Sequence, residues 1–206
     1  MRKIVLVAAV LGLAAGIGAG ATPAAAAVTD VLTVGSVGGP NVAVGDVLKS
    51  GLKSGTVVTF GTLVTCAAST MGITVTSNPP AGNVATGSLS ALSYANCTSS
   101  SGMACPASTA TNLPYTINIS GAGNVVTIST YSVIVRVCTP VGTANCVYSF
   151  QSMIGSWSNT DSSISLTVML IKSGGPAVCN TTLTMRSTYA PVLDTSLATL
   201  QRVFAQ

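Results

Sequence analysis

The chain has no histidine and no glutamate, and its charged side chains amount to eight Lys/Arg and four Asp among 206 residues. Without histidine the commonest general base, triad member and zinc ligand is missing. Without glutamate, Asp30, Asp46, Asp161 and Asp194 are the only side-chain carboxylates. No C-x-x-C pair is present, which excludes the usual dithiol redox motif. The nearest cysteines are also too widely spaced for a C-x₂₋₄-C zinc clip. Beyond the N-terminus the basic residues (Lys49, Lys53, Arg136, Lys172, Arg186 and Arg202) are scattered. Binding to nucleic acid or an anionic membrane rests on many accumulated phosphate contacts, so neither is expected as a partner. Helical signals are scarce too, because past the N-terminal run no i, i+3, i+4, i+7 apolar stripe lasts three turns. These absences lead us to expect no catalytic residue, no metal site and no cofactor.

What is present begins with an export signal. Arg2 and Lys3 precede an apolar run from Ile4 to about Ala21, and Pro23 then leads into Ala24–Ala27. This is the order of a secretory signal peptide, 1–27, with cleavage after Ala27 and Ala26 as the alternative. The run is Gly/Ala-rich and ends in a cleavage pattern, so removal is expected rather than retention as a membrane anchor. No cysteine directly follows it, which argues against a lipoprotein. Residues 28–206 are then expected to form a single all-β domain, secreted and loosely wall-associated if it is held at all. The basic residues left after cleavage outnumber the aspartates by six to four, a net of +2.

Alternating, β-branched runs fill this part of the chain: "TVVTFGTLVT" (56–65), "GITVTS" (72–77), "YTINIS" (115–120), "NVVTISTYSVIVRV" (124–137) and "SISLTVMLI" (163–171). Turn signals such as "GGPN" (38–41), "SNPPAGN" (77–83), "GAGN" (121–124) and "SNTDSS" (158–163) separate them. Many short strands without helices between them imply an antiparallel β-sandwich or barrel. The segment "TSLATLQRVF" (195–204) fits a short helix or a strand.

The cysteines stand at 66, 97, 105, 138, 146 and 179, so three long gaps alternate with two short ones. Echoes inside the long gaps suggest a degenerate repeat of about 40 residues (66–97, 105–138 and 146–179). "CAAST" opens the first unit and "CPAST" the second; "AGNVAT" (81–86) matches "AGNVVT" (122–127); and "TSNPP" (76–80) aligns with "WSNTD" (157–161). If each unit is a strand–turn–strand element, its end cysteines meet while its turn points away. Of fifteen possible pairings this selects Cys66–Cys97, Cys105–Cys138 and Cys146–Cys179. The rival closes the two short loops and staples Cys66 to Cys179.

Individual residues point to binding rather than chemistry. The aspartates read mainly as turn formers, although two of them converging is an acid–base option. Lys49 and Lys53, each followed by serine in "DVLKSGLKSG", lack the context of an activated nucleophile. Trp157 reads as a core residue before a hairpin turn, and with Tyr94, Tyr115 and Tyr131 it is a candidate lining for a ligand cleft between sheets. Most methionines fall in strand-like runs as gap fillers. Met103 sits instead in the polar, cysteine-bounded loop "SSSGMACP", a candidate exposed interaction loop of the kind protease inhibitors use.

The strings "VLTVGSVGGPNVAVGDVLKSGLKSGTVVTF", "TVTSNPPAG", "NLPYTINIS", "GSWSNTDSSI" and "STYAPVLDTS" together resemble a secreted all-β family of streptomycete-type actinobacteria. The resemblance implies export and a β fold and supplies no site residues. In composition alone the chain is similar to the apoproteins of enediyne chromoproteins, which are secreted β-sandwiches. The leading expectation is a non-enzymatic extracellular or cell-surface protein whose partner is cell-wall material or a second copy of itself. The alternatives are a carrier of a small apolar ligand and an inhibitor acting through Met103.

Overall fold

Side chains that alternate between apolar and hydroxyl types suit a surface buried on one face only, and the chain uses them as strands. The computed structural model describes residues 29–206, so the expected signal peptide lies outside the described residues. Fourteen strands and no helix occur there. They are β1 (Leu32–Val34), β2 (Val47–Gly51), β3 (Val58–Phe60), β4 (Val64–Ser77), β5 (Ala85–Ser99), β6 (Ala104–Cys105) and β7 (Ser108–Thr111). The second half adds β8 (Tyr115–Ser120), β9 (Val125–Thr139), β10 (Gly142–Ser158), β11 (Ser163–Gly174), β12 (Thr182–Tyr189), β13 (Leu193–Asp194) and β14 (Gln201–Ala205). In β8 and β12 every second residue is buried, as the alternation requires.

The sheet closes on itself as an antiparallel eight-stranded barrel. Consecutive strands are neighbours from β9 to β12, and β3 closes the wall by pairing with both β12 (Phe60 opposite Met185) and β4 (Val58 opposite Cys66). Between β5 and β9 the short strands β7 and β8 lie end to end and share one wall position. Closure leaves few exposed edges. Three hairpins, turning at 78–84, 121–124 and 159–162, carry the three units marked out by the cysteines. The disulfides join Cys66 to Cys97, Cys105 to Cys138 and Cys146 to Cys179 with Cα separations of 3.9, 5.6 and 5.5 Å.

The turn end of the barrel is stoppered by a two-stranded ribbon from the ends of the described chain. β1 pairs with β14 (Leu32 opposite Ala205), so 195–204 contributes a strand. Leu32, Val34, Val203 and Ala205 are buried in the core beneath it. Each of the three turns touches the ribbon. Pro79 accepts the Val31 N–H at 2.8 Å, Asn159 binds Ala205, and Gly121 lies against the backbone of Gln206, where a Cβ would have no room. β13 links β14 to β2 and so ties the stopper to the wall.

Candidate functional site

The barrel interior is where a ligand cleft between sheets was expected, and it is filled by the aromatic residues proposed to line that cleft. Tyr94, Tyr115 and Tyr131 are buried, and Tyr131 meets each of the other two. The Tyr94 and Tyr131 hydroxyls lie 2.6 Å apart, the Tyr131 hydroxyl donates to Met185 Sδ at 3.3 Å, and the Tyr115 and Tyr131 rings are 5.6 Å apart. Phe60 meets Tyr94 edge-on at 5.2 Å, and Tyr189 shares a 2.8 Å hydrogen bond with Ser69. These are the contacts of a packed core, in which each hydroxyl finds a partner. Trp157, 3% exposed, is not part of this cluster; its Nε1 donates to Asn159 Oδ1 at 2.8 Å beside the stopper.

Burial raises the pKa of all five tyrosines, most strongly at Tyr94 and Tyr131. A raised folded-state pKa contributes stability that is complete below the unfolded value of about 10 and is lost as pH rises through the folded value. Phenolate absorbance near 295 nm is therefore expected to stay flat past about pH 10 and then rise in one step together with unfolding. Titration near pH 10 with the circular dichroism unchanged would show that the hydroxyls are not sealed in.

Met103 is 38% exposed on the turn between β5 and β6. That turn bonds to itself, since Met103 C=O accepts the Ser99 N–H and Ser99 C=O accepts the Gly102 N–H, both at 2.9 Å. It therefore offers no extended segment to enter a protease cleft. Among the aspartates, Asp161 pairs with Lys53 at 2.7 Å, and that hydrogen bond holds its pKa at about 2. Asp46 lies two residues before Leu48, the ladder partner of Asp194, and Asp194 is buried.

One concavity lies on the outer wall. It is a groove of about 960 Å³ over β9, β10 and β11, bounded on one side by the β7–β8 connection. Its origin is a phase slip. Interior residues of β9 run Val126, Ile128, then Tyr131 and Val133; those of β10 run Cys146, Tyr148, then Met153 and Trp157. Both strands skip a step at the same level while their mutual register holds, with Phe150 opposite Tyr131 and Ser152 opposite Ser129. Thr130 takes a φ of 53° there, unusual for a β-branched residue, and Asn112 across the groove takes 61°. β11 does not follow the slip, so its register with β10 is interrupted between Ser149 and Gly155. Such irregularities bend a wall and re-aim side chains, often beside functional sites.

Ile134, Val147, Phe150 and Ile171 provide the groove's apolar surface, Phe150 being half-buried against the core, and Tyr131 is also among its lining residues. Hydroxyls and amides from Thr111, Asn112, Thr130, Ser132, Ser149, Gln151 and Ser173 border it, and no carboxylate is among the lining residues. Lys172 is the one cation there, and its Nζ donates to Pro176 C=O at 2.8 Å, which holds it to the adjoining loop. The surface thus carries one positive charge and no negative one, and is otherwise part apolar and rich in uncharged hydrogen-bonding groups. No family model, curated protein or solved structure matches the chain.

Proposed function

We propose that this chain is an exported, disulfide-stapled barrel that acts outside the cell by binding, without catalysis, and that the groove over β9–β11 is its binding site. The carrying observation is the contrast between a filled interior and an outer wall bent into a groove at Thr130 and Asn112. A groove of this volume is in the range of small-ligand and chain-segment sites. Its lining fits an uncharged, hydroxyl-rich chain such as a neutral wall polysaccharide, with Phe150 under a sugar face and Asn112 and Gln151 bonding its hydroxyls. Three disulfides are compatible with the oxidising space outside the membrane. A carrier of a small apolar ligand would need volume where Tyr94, Tyr115, Tyr131 and Met185 stand.

Retention on purified cell wall and on insoluble neutral polysaccharides tests the reading. Phe150→Ala and Gln151→Ala are each expected to weaken retention about tenfold, equivalent to about 1.4 kcal/mol, whereas Met103→Ala leaves it unchanged. Retention indifferent to both groove substitutions, or lost with Met103→Ala, would move the site away from the groove.

A further inference from the structure

Asp194 is a buried carboxylic acid at the joint between stopper and barrel. It is 1% exposed, its Oδ1 accepts the Ser196 N–H at 2.9 Å, and its Oδ2 has no hydrogen-bond partner among the described residues. The neighbour across the ladder is another acid: Asp46, two residues before the Asp194 partner Leu48, falls diagonal to Asp194, and the segments are tied there by Val47 N–H donating to Ser196 Oγ at 2.7 Å and Thr195 N–H donating to Val47 C=O at 2.9 Å. Asp46 is fixed in turn by the 43–46 turn, where its Oδ2 accepts the Ala43 N–H at 2.8 Å.

The register shows why no cation intervenes. Directly paired residues in a ladder share a face. Leu48, Asp194 and Gln201 lie on one face of β2–β13–β14, while Lys49, Leu193 and Arg202 lie on the other. Lys49 and Arg202, the cations of the two strands flanking β13, are accordingly exposed on the face opposite Asp194. Two neighbouring carboxylates, one of them sealed from water, do not both ionise readily.

We propose that Asp194 and Asp46 share one proton, Asp194 Oδ2–H donating to the Asp46 carboxylate, and that this proton latches the stopper onto the barrel. Its location gives the bond its consequence. β13 is only two residues long and pairs with β14 on one side and β2 on the other, so loosening at Asp194 acts on the link between ribbon and wall. Burial, followed by the Asp46 charge, raises the Asp194 pKa. The stabilisation is therefore complete below the ordinary aspartate value of about 3.9 and is lost as pH rises through the folded-state value. The latch is closed in acid and weakens towards alkaline pH.

The composition makes this readable, because a chain without histidine or glutamate has almost no other side chains titrating at intermediate pH. Asp161, held at about 2, is already ionised there. The experiment is the melting temperature between about pH 3 and about pH 9, with amide exchange at 32–34 and 193–205 corrected for intrinsic rate. The wild type is expected to lose roughly 4 °C across this range, with exchange accelerating in the stopper before the hairpins. Asp194→Asn keeps a donor permanently in place, so its profile is expected to be flat. Asp46→Asn removes the opposing charge and should shrink the slope, which serves as a second reading if Asp194→Asn folds poorly. An unchanged slope in both variants overturns the proposal. So does a rise in the wild-type melting temperature with calcium chloride that Asp46→Asn abolishes, since the pair would then hold a metal ion.

Discussion

Complete reduction of the three disulfides is expected to unfold the barrel at room temperature, whereas loss of any one leaves it folded and weakened. The bridges span sequence separations of 31, 33 and 33. In the chain-entropy model each closure is worth roughly 3–4 kcal/mol, so together they contribute roughly 10 kcal/mol. That is comparable with the whole stability of an ordinary domain, about 5–15 kcal/mol. Replacing both Cys66 and Cys97 by Ala is therefore expected to lower the melting temperature by about 10 °C. Exposure orders the reaction under native conditions. Cys105 is half-buried, whereas both cysteines of the other two bridges are buried, so Cys105–Cys138 should open first. Titration with dithiothreitol, read by mass and circular dichroism, checks both statements. Native spectra after all three bridges are open would mean that wall pairing and core suffice alone.

The same hairpin logic explains what could be read from the residues. A unit that begins and ends in cysteine and carries Pro, Gly or Asn at its midpoint reads as two strands and a turn, and the bridges follow from that local geometry. Asp46 was also legible as a turn former and Asp194 as a loop residue, and each accepts a nearby backbone N–H. Their mutual approach was not, because it depends on β2 pairing with β13 across most of the chain. The stopper was hidden for the same reason: Leu32 and Ala205 meet only after the barrel has formed beneath them. The groove left a trace that periodicity alone undervalues. In "VVTISTYSVIVRV" the apolar phase shifts at Ser129–Thr130, and the shift recurs opposite it at Gln151–Ser152. One such slip is common in a strand, but two in register bend a wall. The tyrosines looked like cleft residues because a ring with a hydroxyl suits either a wet pocket or a hydrogen-bonded core. The 2.6 Å contact between Tyr94 and Tyr131 joins those two in a hydrogen-bonded core, while Tyr131 also borders the outer groove.

The aligned strings "TSNPP" and "WSNTD" have a structural meaning that yields the second large effect. Leu32 and Ala205 are partners in the β1–β14 ribbon. The hydrogen-bonded rungs lie on either side of them, with Gln206 N–H donating to Val31 C=O and Gly35 N–H to Arg202 C=O. Leu32 and Ala205 therefore turn their own N–H and C=O outward, away from each other. Asn78 takes one side: its Oδ1 accepts the Leu32 N–H at 2.8 Å, and its Nδ2 donates to Leu32 C=O at 2.9 Å and Val42 C=O at 2.8 Å. Asn159 takes the other, with Oδ1 accepting the Ala205 N–H at 2.9 Å and Nδ2 donating to Ala205 C=O at 2.7 Å. Two asparagines at matching positions of two repeat units thus grip the ribbon from both edges, each supplying a donor and an acceptor as a neighbouring strand would. Asn78→Ala strands the Leu32 N–H, while Leu32 C=O keeps the Val42 N–H at 3.0 Å, and Asn159→Ala strands both Ala205 groups, each at a cost of about 2–3 kcal/mol and a fall in melting temperature of roughly 5–10 °C. The double substitution should cost less than the sum, because a ribbon freed at one edge has less left to lose at the other. Asn83→Ala, which removes only an exposed bond to Pro80 C=O, is expected to change little. Thermal unfolding of the four variants, with exchange rates at the Leu32 and Ala205 amides, decides the matter. Fully additive losses, or losses no larger than that of Asn83→Ala, would mean that the ribbon is held by its buried side chains and not by the two amides.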